Sequence, residues 1–259
     1  MATKKTIFNT IPKLGYTEIG EDCNITAFKK VVTSRRSIRV YEPEPIPETI
    51  MMDCLNLATL APSSSNLQPW QFFWVRNVNK KTELVKYCLG QPAAATAPEL
   101  IVAVARPDFW KTNQQQMLAL FTSGQKERAS AGFDYYNRIV PLAYNQGFLG
   151  IKGFIKKIVL FFIGLKKPTP RGPASHADMR VWANKSTALA CQNFMLALRA
   201  YNYDSCPMEG MDPIRIQKML NLPKPAEICM VISAGKRNAT QGVYGKQVRF
   251  NSEQFIKIV

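Results

Sequence analysis

Apolar residues between Thr49 and Ala61 fall at Met51, Cys54, Leu55 and Ala58, the i, i+3, i+4, i+7 spacing that lines one face of a helix. Pro62 closes that segment, because proline has no N–H to continue the helical ladder. A shorter helix is predicted over 24–34. The longest helical stretch, Asp178 to Tyr201, sets Trp182, Leu189, Phe194, Met195 and Leu198 among small residues such as Ala183, Ala188 and Ala190. Its apolar surface is broad, as in a helix that is central or sits in a subunit interface. A further helix runs from Met211 to Leu220, with Asp212 as N-cap and Pro213 at the first helical position.

Gln71–Arg76 is aromatic and branched and reads as a strand. Glu99–Ala105 and Glu227–Ser233 are apolar almost without alternation, the pattern of strands buried on both faces. Few strands among long helices predict an α+β sandwich rather than a doubly wound sheet. No Gly-x-Gly-x-x-Gly follows a strand and no Gly-x-x-x-x-Gly-Lys-Ser/Thr occurs, which argues against dinucleotide-fold and P-loop readings.

The stretch 147–167 carries a different pattern. As a helix it places Ile151, Phe154, Ile155, Ile158, Phe161, Phe162 and Leu165 along one side, with Lys152, Lys156 and Lys157 on the other. A basic amphipathic helix of this kind suits the interface of an anionic bilayer. A lid over a bound cofactor and an arm swapped onto a partner subunit are the alternatives. Pro168, Pro170 and Pro173 then make a stiff exit toward His176, read as a surface or lid residue.

Composition narrows the chemistry. The 259 residues, 46% of them apolar, suffice for one large domain or two small ones. Histidine occurs once, at His176, so a zinc site with several histidines cannot be built, and a Ser-His-Asp triad would need that one residue. Side chains alone are poorly equipped for catalysis, and a borrowed cofactor becomes the leading idea. The net charge is +16, and most of it lies beyond residue 150, densest from Lys152 to Arg171, where no acid occurs. Such a balance raises nucleic acids, anionic membranes and anionic small molecules as partners, against the plainer reading of a solubilising surface. The six cysteines include no Cys-x-x-Cys and sit mostly in apolar stretches, the usage of free thiols in a reducing compartment. Met1–Thr6 lacks the apolar core of a signal peptide, and Ile158–Leu165 is too short to span a bilayer. A cytoplasmic protein is expected, held peripherally at the inner face of a membrane if the bilayer reading of 147–167 applies.

Three loops could carry chemistry. Ser34-Arg35-Arg36-Ser37-Ile38-Arg39 sets three guanidiniums and hydroxyls close together, a cradle for a phosphate monoester, or simply a solvated basic turn. Ala61-Pro62-Ser63-Ser64-Ser65-Asn66-Leu67-Gln68-Pro69-Trp70 is a stiff loop full of donors and acceptors, or an ordinary helix-to-strand turn. Cys206-Pro207-Met208-Glu209-Gly210-Met211-Asp212 reads as a loop whose Gly210 permits close backbone approach to a ligand.

Taken in this order, the three motifs resemble those of the nitroreductase family of FMN-dependent oxidoreductases, as does Ala190-Cys191-Gln192-Asn193 on the long helix. The likeness covers residues 24–106 and 178–255. It implies one domain over 1–259 with an excursion at about 107–177, and an α/β/α sandwich around a mixed, mainly antiparallel sheet, assembled as a homodimer with shared active sites. It implies that Arg35, Ser37 and Arg39 hold the FMN phosphate and ribityl chain, with Arg36 beside them. Pro62, Ser63, Ser64 and Asn66, with Gln68 in the same motif, would reach the flavin of the partner subunit. The backbone at Glu209 and Gly210 would meet the N5 and O4 edge, and Pro207 and Met208 would pack on the ring. Arg249 is the nearer match to the family's basic residue close to the C-terminus, and Lys246 the other candidate. Gly235-Lys236-Arg237 departs from the family's commoner aromatic there.

The resemblance further implies NAD(P)H as donor, a ping-pong cycle, and nitroaromatic or quinone-type acceptors, with no catalytic side chain and no metal. Reductive dehalogenation and flavin breakdown are the alternatives on the same fold. A nucleic-acid-binding protein is the alternative of another class. Against it, the aromatics do not interleave with the basic residues as stacking platforms would.

Overall fold

The computed structural model describes residues 17–122 and 129–259. The reading of Met1–Thr6 lies outside the described residues. Four strands, β1 (Trp70–Trp74), β2 (Glu99–Ala105), β3 (Asp204–Met208) and β4 (Glu227–Gly235), form one sheet in the order β1-β2-β4-β3. All three pairings are antiparallel. The only parallel contribution among the described residues is the isolated bridge Ser37–Ser205, so the sheet is less mixed than expected.

Helices cover both faces, and side-chain parity on β2 shows why. Leu100, Val102 and Val104 enter a core shared with α3 (Val78–Tyr87), α4 (Pro92–Ala95) and α10 (Pro213–Met219). Ile101 and Ala103 enter the opposite core, with Met51, Cys54 and Ala58 of α2 (Glu48–Thr59) and Phe194 and Leu198 of α9 (His176–Ala200). A strand dressed on both faces has to be apolar throughout, and β2 is buried at every position. On β4 the alternation breaks. Ile228 and Val231 share a face because the register shifts between Ala103 and Val104 of β2, leaving Cys229 as the extra, bulged residue.

The predicted helices and strands appear close to their expected limits. The N-cap of α10 is Asp212, whose carboxylate accepts from Arg215 N, and Ser175 caps α9 by accepting from Asp178 N. The carboxylate of Asp178 accepts in return from Ala174 N, a reciprocal capping pair. Two elements differ. The Cys206–Met208 segment, read as loop, belongs to edge strand β3, where Pro207 is tolerated because an edge position need not donate on both sides. Helix α3 has no clear signature in the residues, since only Val78, Leu84 and Val85 punctuate an otherwise polar run.

The described residues of 107–177 include α5 (Phe109–Thr122), α6 (Ala129–Asp134), a π-helical turn at Tyr135–Ile139, α7 (Val140–Tyr144) and α8 (Ile151–Gly164). Trp110, Tyr136, Val140 and Tyr144 close a third core with Leu67, Ala105, Met179 and Trp182, capping the end of the sheet where β1 begins. His176 is exposed at the start of α9. No described helix is long and apolar enough to cross a membrane.

Candidate functional site

The arginine motif follows α1 (Ile25–Ser34), which ends as Arg35 turns to extended backbone and its N–H returns to Val31 O. The chain then runs beside β3: Ser37 bridges Ser205, and Ile38 N donates to Ser205 O at 3.2 Å. Ile38 is fully buried and anchors the turn. Arg35, Ser37 and Arg39 converge around Cys206. Burial pushes that thiol's pKa up, while the Arg39 charge, a hydrogen bond from Ser37 and the Arg35 charge pull it back. Arg35 Nη1 and Ser205 Oγ are both buried with no hydrogen-bond partner among the described residues. Buried donors are almost always satisfied. A buried cationic donor left without a partner suits an anion by its chemistry.

The ground under this cluster is charged as well. Asp204, 2% exposed, accepts from Arg237 Nε at 2.7 Å and Nη2 at 2.6 Å, and from Arg199 Nη1 at 3.1 Å. Arg199 Nε also donates to Ser34 Oγ, which ties the end of α1 to α9. The departure from the family pattern at 235–237 thus has a structural content: Arg237 neutralises Asp204, while Lys236 is exposed.

Arg36 does not join Arg35 and Arg39. Its Nη2 donates to Gly245 O at 2.7 Å and holds the C-terminal segment. Lys246 follows that carbonyl directly and so adjoins the motif. Arg249 is exposed, with Nη1 on the neighbouring Val248 carbonyl. Glu209 and Gly210 are exposed just beyond β3, where Gln91 Nε2 donates to Gly210 O at 2.7 Å. Pro207 is half-buried, but the Met208 side chain is buried in the core under α3, α4 and α10. Met208 therefore belongs to the core beneath the end of β3.

The serine loop is held at a different place. Ser65, Asn66 and Gln68 all take left-handed backbone, with φ of 57°, 48° and 44°. Such conformations are costly outside glycine and persist only where surroundings enforce them. Here Gln68 N donates to Ser63 Oγ, Asn113 Nδ2 to Leu67 O, and Thr187 Oγ1 to Pro69 O, while Leu67 is fully buried. Tyrosines of the excursion complete the brace. Tyr144 OH donates to Ser64 Oγ at 2.9 Å, Tyr136 OH to Ser65 O at 2.9 Å, and Tyr135 OH lies 2.7 Å from Ser65 Oγ. Pro62, Ser64, Asn66 and Gln68 face outward, exposed, with Ser63 half-buried.

The two motifs occupy opposite corners of the sheet. Trp70 starts β1 level with Ala105, whereas Ser205 on the far edge pairs with Ala234, which is level with Glu99. Strand spacing and rise put those corners roughly 25 Å apart. Helix α9 gives the same answer, since Thr187 holds the loop and Arg199 holds α1, three turns further on. Within one chain the serine loop does not face the arginine cluster.

Ser205, Gln91 and the three tyrosines join these motifs without a signal in the sequence. Ser205 precedes the third motif and has no pattern of its own. The spacing of Tyr135, Tyr136 and Tyr144 reads as a hydroxyl-bearing face only with knowledge of what it meets.

The nitroreductase family model matches residues 32–236, a span that runs through the excursion. The chain belongs to the nitroreductase family. It is 26% identical to an NADH dehydrogenase of Thermus thermophilus over 80% of this chain and 85% of that one. Identity is also 26% to a putative NAD(P)H nitroreductase, YdgI, of Bacillus subtilis, over 81% and 88% of the two chains. Among solved structures, a putative nitroreductase of Bacillus subtilis superposes with a TM-score of 0.69 at 20% identity, covering 91% of this chain and all of the other. A putative nitroreductase in complex with FMN from Exiguobacterium sibiricum gives 0.65 at 22%, covering 94% and all of its chain.

Proposed function

We infer that the protein passes electron pairs from NAD(P)H to nitroaromatic or quinone-type acceptors in a ping-pong cycle, at sites shared between two copies of the chain. It is an FMN-dependent NAD(P)H oxidoreductase. When bound, FMN supplies the two-electron chemistry, taking a hydride from the nicotinamide and giving it up to the acceptor.

The residues present fit this cofactor. A phosphate monoester carries about −1.5 to −2 charges at neutral pH, and Arg35 and Arg39 supply two cations in the same turn as the Ser37 hydroxyl. The observation that carries the reading is the buried Arg35 Nη1, a cationic donor with no hydrogen-bond partner among the described residues, which a phosphate oxygen would satisfy. Pro207 and the exposed peptide groups of Glu209 and Gly210 would border the ring. Gln91 holds that backbone in place through Gly210 O.

The shared site rests on the separation of the two corners. Pro62, Ser63, Ser64, Asn66 and Gln68 cannot serve the arginine cluster of their own chain, so they would serve that of a second. Surface for such a partner exists. Ile25 and Phe28 on α1 and Val181 and Leu189 on α9 are exposed, as are Tyr244, Phe250 and Phe255 of the C-terminal segment.

The test is flavin binding. The purified protein saturated with FMN should be yellow, bleach with NAD(P)H, and give parallel double-reciprocal lines with a quinone. Arg35→Ala/Ser37→Ala/Arg39→Ala should bind FMN at least about a hundredfold more weakly, since each charge-assisted hydrogen bond contributes about 1.5–3 kcal/mol. Equal affinity in that variant, or no binding by the wild type, would overturn the reading.

A further inference from the structure

Amphipathic helices of folded domains bury the apolar side. Helix α8 does the reverse. Ile151, Phe154, Ile155, Ile158, Phe161 and Phe162 are all exposed, Phe154 at 66% and Phe162 at 61%. The side that meets the rest of the protein is narrow, with Lys156, Leu160, Ile163 and Gly164 only half-buried. Gly153 is the one buried position of the helix, and a Cβ there would lie 2.6 Å from Ala174 O and collide with the Gln146 side chain. Three turns on, a Cβ at Gly164 would collide with the Arg171 guanidinium. Lys156, expected on the free polar face, points inward instead, its ammonium donating to the carbonyls of Leu142 and Ala143. Arg171 donates to Leu160 O and Gly164 O. The close approach of Gly153 to Ala174 O and the bonds of Lys156 and Arg171 to backbone carbonyls thus hold α8 with its aromatic side outward.

The outward face has a charged rim. Lys152 and Lys157 flank it on either side and Lys166 and Lys167 follow its end, all four exposed. No acidic residue occurs between Asp134 and Asp178. We propose that α8 is a docking face for a bilayer rich in anionic phospholipid, its phenylalanines and isoleucines entering the acyl boundary and its four lysines meeting the headgroup phosphates. Apolar side chains rimmed by lysines match the two layers of such an interface. A second copy of the chain is the poorer occupant. Two such faces together would crowd eight lysines against one another, and exposed apolar residues on α1 and α9 already offer another surface for self-association.

The experiment is co-sedimentation of the full-length, FMN-loaded protein with vesicles of phosphatidylcholine alone and of equal parts phosphatidylcholine and phosphatidylglycerol, at low and high salt. Binding should be confined to the anionic vesicles and weaken as salt rises. Phe154→Ser/Phe161→Ser alters only exposed positions; it should keep its flavin and circular dichroism and lose vesicle affinity more than tenfold. Lys157→Gln/Lys166→Gln/Lys167→Gln should lose it about a hundredfold, at about 1 kcal/mol per lysine near an anionic surface. Equal binding to neutral vesicles, no binding by the wild type, or undiminished binding by either variant would overturn the proposal. If the phenylalanine variant instead lowers the oligomeric state in sedimentation velocity while the wild type ignores vesicles, the face belongs to a second copy. Flavin content is read in every arm, so failure here stays distinct from failure of the cofactor reading.

Discussion

The two corners of the sheet are built on different physical principles. The arginine corner stands on charge: a buried carboxylate, Asp204, between Arg199 and Arg237, beside Ser205, which bridges the arginine motif at Ser37. The serine corner stands on neutral hydroxyls and backbone strain, with Ser64 and Ser65 held by tyrosines of the excursion. One corner holds a buried guanidinium nitrogen with no partner among the described residues. The other presents uncharged donors and acceptors of fixed shape to the outside. Neither is a complete pocket, and the contrast separates a charged corner from a neutral one of fixed shape.

This contrast can be broken at each corner, the larger effect first. Asp204→Asn leaves two arginines facing each other with half their acceptor lost. Breaking a buried ion pair typically costs about 3–5 kcal/mol. Arg237 is about a third exposed, so screening should reduce the loss here to about 2–3 kcal/mol, read as an earlier urea midpoint at unchanged slope. A midpoint within error of the wild type would show that the corner does not rest on that charge. At the serine corner, Tyr144→Phe removes the neutral hydrogen bonds of its hydroxyl with Ser64 and Ser65, worth about 1–2 kcal/mol together. Global stability should move little, while proteolysis within 61–70 accelerates. A stability loss as large as that of Asp204→Asn would erase the distinction between the corners.

Much of this is legible in the residues. Met51, Cys54 and Ala58 share a face because their spacing obliges them to, and the near-continuous apolar run of 99–105 announces a strand dressed on both sides. The arginine and serine motifs are readable as chemistry. Direction is not. The pattern of 151–165 tells which residues share a side of α8 but not which side meets the protein. That depends on Gly153 approaching Ala174 O and on Lys156 reaching the end of α7, contacts between segments distant in sequence. For the same reason the third motif points Met208 at a ligand, although its strand parity sends it into the core. The first motif likewise groups Arg36 with its neighbours, although its side chain reaches to Gly245.

That the two corners complete each other across two chains is tested most directly by subunit mixing. Arg35→Ala/Arg39→Ala should lose flavin through the anchor, and Ser64→Asp/Asn66→Asp should lose it by setting carboxylates against an anionic cofactor. Co-expressed with different tags and purified through both, the mixed dimer should carry one intact site of two and recover about half the flavin content of the wild type. A mixed dimer as empty as its parents would mean that both motifs act within one chain, contrary to a site shared between subunits.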